Sequence, residues 1–304
     1  MVAIGIDIGG TKIAIAAVSS QGEVLASVRF ATEPQLGVPI ALNKMISGIK
    51  SVITDAGLNS NSLDGIGIGC AGPVDPARGT IHNPHTLPTW DDCNLVSPLA
   101  ELFGVRVRLE NDADAAASGE ARFGAGRGSD PMVMLTFGTG IGFAAIVEGQ
   151  IYRGVSGEHP EAGHIPTTAD GPECYCGLRG CFEAMASGTA IDLAGKAAGF
   201  VDGRAVFFSA AAGDAVAAGI LDTAVNSTAT AIWTLAHTFL PQRFVLGGGL
   251  IDDHFELFAA PARAALSRAV LLPKGRVEIV RASLGNDAGV VGAASLVMHA
   301  GNKE

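Results

Sequence analysis

Two short runs, Asp7-Ile8-Gly9-Gly10-Thr11-Lys12 and Gly138-Thr139-Gly140, have the composition of turns that bind phosphate. Their glycines let backbone N–H groups close on an anion, and the threonine hydroxyl adds a donor. Asp7 supplies a carboxylate suited to a hydrated magnesium ion. Gly247-Gly248-Gly249, after the apolar run Arg243 to Leu246, is a third place where backbone can approach a flat or anionic group. Three such turns suggest a clamp for a nucleotide, although each would serve equally as an ordinary hairpin turn.

Asn111-Asp112 stands where a strand gives way to a helix, and unpaired N–H groups there favour an ionised carboxylate able to take a hydroxyl proton. The same pair would also suffice to cap the helix. Beside phosphate turns, a base is what phosphoryl transfer requires, since the protein in that reaction mainly positions and neutralises. His164, Cys174, Cys176 and Cys181 make up one imidazole and three thiols, the donor set of a closed, structural zinc site, with Gly177 and Gly180 allowing the sharp turns between sulfurs. Glu161 and Glu183 bracket that loop with carboxylates suited to the hydroxyls of a polyol, and Asn83 is a further candidate of this kind. Read singly, each glutamate is equally a solvated surface residue. His82, His85, His237, His254 and His299 have no evident partners in sequence.

The elements that must carry these groups follow from the hydrophobic pattern. Val2 to Asp7, Ile13 to Val18 and Val24 to Phe30 read as a three-strand meander, and Leu42 to Ile53 as a helix stopped by Gly57. A strand at Ile66 to Gly69 precedes a proline-rich stretch from Ala71 to Trp90, read as a long ordered loop. A strand at Val105 to Leu109 and a helix at Ala113 to Phe123 follow. The meander then returns, because adding 128 to Gly10-Thr11 lands on Gly138-Thr139. That offset reads as an internal duplication of two α/β lobes and implies a cleft.

Composition narrows the function class. The 304 residues are 48% hydrophobic and 16% charged, which excludes a disordered chain, and 20 basic against 30 acidic residues leave a net charge of −10 that disfavours nucleic acid and anionic lipid as partners. No membrane or export segment is evident: Asp7 and Lys12 interrupt the apolar opening, and glycines break Met132 to Val147. Three of five cysteines crowd into eight residues, which suits a metal in a cytoplasmic chain better than a disulfide framework.

Together these residues resemble the ROK family of bacterial sugar kinases. The resemblance rests on Asp7-Ile-Gly-Gly-Thr-Lys12, Gly72-Pro-Val-Asp75, Glu110-Asn-Asp112 with Gly119-Glu120, Thr136-Phe-Gly-Thr-Gly-Ile-Gly142, Glu161-Ala-Gly-His164, Cys174-Tyr-Cys-Gly-Leu-Arg-Gly-Cys-Phe-Glu183, Gly247-Gly-Gly249 and Gly285-Asn-Asp-Ala288. It implies an α/β, two-lobed ribonuclease H-like fold of the actin and hexokinase type, with a central cleft and a structural zinc loop over 164–181. The expected lobes are 1–115, with a C-terminal helix at about 288–304 packing back on it, and 116–287. By the same resemblance Asp112 is the base toward a sugar hydroxyl. Asn111, Glu161, His164 and Glu183 surround the sugar, and the Gly-Thr turns hold the phosphates of ATP.

The resemblance thus implies an ATP- and magnesium-dependent kinase phosphorylating the 6-hydroxyl of a hexose, with glucose first, and a homo-dimer or homo-tetramer. Fructose, mannose and N-acetylmannosamine are the alternatives, since His159-Pro160-Glu161 looks like the fructokinase branch while the cysteine loop looks like the glucokinase and N-acetylmannosamine kinase branches. A non-catalytic sugar-sensing regulator is the alternative of a different class. Repressors of the family place a DNA-binding helix-turn-helix ahead of the sugar domain, and here the first phosphate turn already begins at Asp7. Phe137, and Phe143-Ala144-Ala145, depart from the small residues usual in the family.

Overall fold

The computed structural model describes residues 2–59, 63–84 and 86–298. Two compact units emerge: the described parts of Met1–Arg127, Arg153–His159 and Ser283–Glu304, and a second unit of Gly128–Tyr152 and Pro160–Ala282.

In the first unit β1 (Val2–Ile8), β2 (Lys12–Ser19) and β3 (Val24–Ala31) form the expected antiparallel meander. Helix α1 (Val38–Asp55) begins ahead of the apolar periodicity because Pro39 occupies its first turn. Strand β4 (Leu63–Cys70) pairs parallel to β1, and the sheet order β3-β2-β1-β4-β8 is completed by β8 (Val107–Asn111), parallel to β4. Burial explains the two sequence textures. Edge strand β3 alternates between covered and exposed residues, while β1 and β2 read as nearly continuous apolar runs because both faces of the sheet are covered.

The stretch from Ala71 to Trp90 is more structured than the loop expected. It contains β5 (Val74–Asp75) and β6 (Thr80–Ile81), which join β7 (Cys93–Asn94) in a small antiparallel sheet ahead of α2 (Val96–Phe103). Two-residue strands carry no readable period, so their pairing was invisible in sequence. Fully buried Leu87 and Trp90 anchor the segment to the core.

The second unit repeats the first. Strands β9 (Met132–Phe137), β10 (Ile141–Val147) and β11 (Gln150–Ile151) form a second meander, and β12 (Arg243–Gly247) and β13 (Glu278–Arg281) add in parallel to give the order β11-β10-β9-β12-β13. A meander plus two parallel strands in each unit bears out the duplication. Between β11 and β12 the chain forms α4 (Phe182–Ala186), α5 (Gly188–Ala197), α6 (Gly203–Ala211) and α7 (Ala215–Phe239); α8 (Gly249–Ser267) follows β12. Among the described residues α7 is the one helix long and apolar enough to cross a membrane. It is a core helix instead: Leu221, Ala224, Ile232 and Leu235 are buried in the cluster of this unit, and Thr223, Thr230, Thr234 and Thr238 return their hydroxyls to carbonyls four residues earlier.

The boundary expected at residue 115 cuts through α3 (Asp112–Phe123), and α3 belongs wholly to the first unit. The reason is its contact with α9 (Ala288–Ser295). A Cβ on Gly292 would stand 2.1 Å from the Ala115 carbonyl oxygen, and one on Gly67 of β4 would stand 1.7 Å from that of Ala293, so α9 seats on strand and helix only through glycines. Buried Glu120 of α3 also accepts the Ser283 and Leu284 backbone N–H groups, at 2.9 and 2.8 Å. The terminal helix packs on the first unit and ends at Ser295; residues 299–304 of the expected 288–304 span lie outside the described residues, as do His85 and His299.

Candidate active site

Strand register brings the candidate residues of the first unit to one sheet edge. Asp7 of β1 is level with Gly69 of β4, and Gly69 with Glu110 of β8, so the residues that follow leave the sheet at the same carboxyl ends. Ligand sites of parallel α/β sheets form at such ends. Beyond β1 the Gly9–Thr11 turn is held by its own backbone, with Gly9 N–H donating to Lys12 O at 3.0 Å. Buried Thr32 pins it further, its hydroxyl donating to Gly9 O at 2.7 Å and its N–H to Thr11 O at 3.1 Å. Thr11 and Lys12 are left exposed at the tip.

Burial pushes the Asp7 carboxyl up to about 6, and the negative charge of Asp112 adds to the effect against Lys12 and Arg29. The Asp112 charge is thus close enough to act on Asp7, and a cation held beside the pair would offset that repulsion. At the end of β8, Asn111 caps α3, its Oδ1 accepting the Ala113 N–H at 2.8 Å; Asp112 Oδ1 accepts the same N–H at 2.8 Å. The capping role weighed for this pair is therefore real for Asn111. Asn83 is buried, with its amide committed to the loop: it donates to Ala71 O at 3.1 Å and accepts from Thr86 N at 2.8 Å.

In the second unit Gly138 and Thr139 form an exposed turn between β9 and β10, with Gly138 N–H on Gly140 O at 2.9 Å. The first residues of α5 hold the turn from below, Gly188 N–H donating to Gly138 O at 2.9 Å and Thr189 N–H to Thr139 O at 3.3 Å. Glu183 fixes its far side by accepting the Ile141 N–H at 2.8 Å. Gly247 is level with Thr136, so Gly247-Gly248-Gly249 leaves the same sheet edge. Phe137 is a fully buried prop for the turn, with its ring edge-on to Phe182 at 5.8 Å and tilted on Phe258 at 5.7 Å. A cavity of about 490 Å³ at Pro131, Gln242 and Arg243 opens at the opposite strand ends.

The four predicted metal ligands converge. Ligand atoms of His164, Cys174, Cys176 and Cys181 all lie within 4.8 Å of one another, with Cys174 Sγ 3.4 Å from His164 Nδ1 and Cys176 Sγ 3.5 Å from Cys181 Sγ. Zinc–sulfur bonds of about 2.3 Å give tetrahedral sulfur–sulfur edges of about 3.8 Å, so the cluster fits a zinc ion. Its chemistry asks for one. Burial and the neighbouring thiols push Cys181 up to about 12, a charge cost that a bound divalent cation reverses. The loop exits directly into α4, which places Glu183 in that helix's first turn; Glu161 sits exposed at the entrance, its carbonyl accepting the His164 N–H at 3.0 Å.

The ROK family profile matches residues 3–300. The chain belongs to the ROK family. The glucokinase of Thermotoga maritima is 35% identical to this ROK chain, the match covering 97% of this chain and 96% of that one. Among solved structures, the ROK hexokinase of Thermus thermophilus superposes with a TM-score of 0.85 at 33% identity, covering 97% of each chain. A ROK glucokinase of Streptomyces griseus, in complex with glucose and AMPPNP, gives 0.78 at 33% identity over 97% of this chain and 99% of that one. The expected ROK α/β fold is thereby established.

Several further residues of this ROK chain shape the site although none was among the predicted catalytic, binding or metal-ligating groups. Thr32 lies far along the chain from the turn it pins. Tyr175, between two metal ligands, sets its ring edge-on to His164 at 4.9 Å. Glu110, Asp114, Arg153 and His159 form a charged cluster beside Asn111-Asp112, in which Arg153 contacts both carboxylates and His159 bonds Asp114. The His159 of the His-Pro-Glu segment is thus engaged with a protein carboxylate.

Proposed function

We propose that this chain is an ATP-dependent hexose kinase that transfers the γ-phosphoryl group to the 6-hydroxyl of a hexose, glucose foremost. The observation that carries this reading is Asp112 leaving β8 beside Asn111 on the sheet edge shared with Asp7 and its glycine turn, in a ROK chain.

Asp112 takes the proton of the acceptor hydroxyl as the phosphoryl group arrives, which makes the oxygen nucleophilic without full charge separation in solution. Asn111, held as the α3 cap, Glu161, His164 and Glu183 orient the remaining hydroxyls, the carboxylates accepting and the imidazole donating. His164 turns Nδ1 to the sulfurs, which leaves Nε2 for a hydroxyl. Asn83 acts one step back, by holding the loop after β4. Backbone N–H groups of Gly9, Gly10, Thr11 and Lys12 and of Gly138, Thr139 and Gly140 receive the phosphates, and Gly247 to Gly249 approach the nucleoside. Asp7 is the ligand for magnesium, which when bound offsets phosphate charge. Zinc in the cysteine loop is structural and supports His164, Glu161 and Glu183 together. The reading carries over a cytoplasmic homo-dimer or homo-tetramer from the family resemblance.

The test is ADP release with ATP and magnesium across glucose, fructose, mannose, N-acetylmannosamine and N-acetylglucosamine. Glucose is expected to give the highest kcat/KM. Nucleotide hydrolysis indifferent to every sugar, or none at all with zinc bound, overturns the reading.

A further inference from the structure

The loop Arg153–His159 presents five consecutive exposed residues, Gly154 to Glu158, between two partly buried ends. Burial does little to hold those five. Backbone bonds close the loop on itself, Gly154 N–H to Glu158 O at 2.8 Å and Glu158 N–H to Val155 O at 3.2 Å, but they do not fix it to anything else. Its two ends do. Arg153 donates to Asp114 Oδ2, and His159 Nδ1 donates to the same oxygen at 2.8 Å. Arg153 also reaches Glu110. Asp114 is fully buried, so removing either partner would leave a buried polar group short of a bond.

The position of this staple in the chain gives it consequence. Glu110 immediately precedes Asn111-Asp112, and Asp114 lies in the first turn of α3 just beyond them. On the other side, His159 is followed by Pro160, whose ring fixes the backbone leading to Glu161. We propose that Asp114 is a positioning residue that staples both ends of the Arg153–His159 loop to the junction that carries Asn111 and Asp112. The His-Pro-Glu segment then serves as a docking pin for the loop and does not select the sugar. This inference rests on the kinase reading for its kinetic consequence but not for the staple itself.

The test compares full-length, zinc-loaded wild type with Asp114→Asn, His159→Ala and His159→Asn, the last keeping a donor where Nδ1 stands. His159→Ala and Asp114→Asn are expected to raise the sugar KM about tenfold or more, with the ATP KM within about twofold of wild type. Glucose and fructose should suffer in the same proportion, His159→Asn should recover most of the loss, and the amides of Gly154 to Glu158 should exchange hydrogen faster in His159→Ala. Unchanged sugar KM in the two damaging variants overturns the proposal. So does a shift in glucose-to-fructose preference, which would put His159 on the sugar. If Asp114→Asn does not fold, the two His159 variants decide. If wild type phosphorylates no sugar, the kinase reading fails, and hydrogen exchange in His159→Ala still decides the staple: faster exchange supports it and unchanged exchange overturns it.

Discussion

Glu183 Oε2 accepts the Ile141 backbone N–H at 2.8 Å, so a single carboxylate ties the helix leaving the cysteine loop to the strand leaving the Gly138–Gly140 turn. The cysteine loop, the proposed sugar ligand and the proposed phosphate turn are therefore joined through this one side chain.

Gly140 tests that connection. A Cβ there would stand 2.4 Å from Glu183 Oε2, so Gly140→Ala must displace the carboxylate. We expect kcat/KM for glucose to fall by about 10- to 100-fold. Zinc content should stay at the wild-type level, as measured by elemental analysis beside the steady-state rates.

Asp112→Asn separates chemistry from binding. Loss of a general base costs about 10²–10⁴ in kcat. The α3 cap survives because Asn111 Oδ1 still accepts the Ala113 N–H, so thermal stability and glucose affinity by calorimetry should remain near wild type. Near-normal turnover would remove Asp112 from its role.

Asp7 carries a signature in pH. Its carboxyl ionises at about 6 in the folded chain against an ordinary 3.8, so between those values the folded chain keeps a proton that the unfolded chain has released. The stabilisation is complete below about 3.8 and is lost as pH rises through about 6. Urea titrations without nucleotide or magnesium should show wild type losing about 1–3 kcal/mol relative to Asp7→Asn across that window. Asp112→Asn should narrow the difference, because the Asp112 charge is the second cause of the shift.

Metal removal should act far beyond the cysteines. Wild type is expected to bind one zinc per chain, and Cys181→Ser to bind none, because its buried sulfur completes the cluster. Since metal binding is coupled to the folding of such loops, the variant should melt lower and lose sugar turnover although Asp112 is untouched. Elemental analysis, thermal melting and ADP release together check this.

The seat of α9 should tolerate no added methyl group. In Gly292→Ala the new Cβ would lie 2.1 Å from Ala115 O, and forcing α9 away from α3 should cost about 1–3 kcal/mol or more in urea unfolding. A variant as stable as wild type would show that this helix contact adapts freely.

Residue type and local spacing by themselves determined the glycine turns, the Cys-x-Cys metal loop, the strand–helix junction at Asn111-Asp112 and the doubled meander. Each of these is written within a few neighbouring residues, where backbone freedom, donor chemistry and hydrophobic period act over short range. The two-residue strands β5 and β6 lay below that resolution, since a period of two needs more residues to be seen. Tertiary structure alone decided that α3 packs with α9, because an alanine-rich face does not say which element covers it. It alone decided that Thr32 pins the first turn, that Asn83 spends its amide on its own loop, and that His159 meets Asp114 forty-five positions away. Hydrogen bonds and charge pairs depend on distance in space, and the chain's path through two sheets brings those distant residues together.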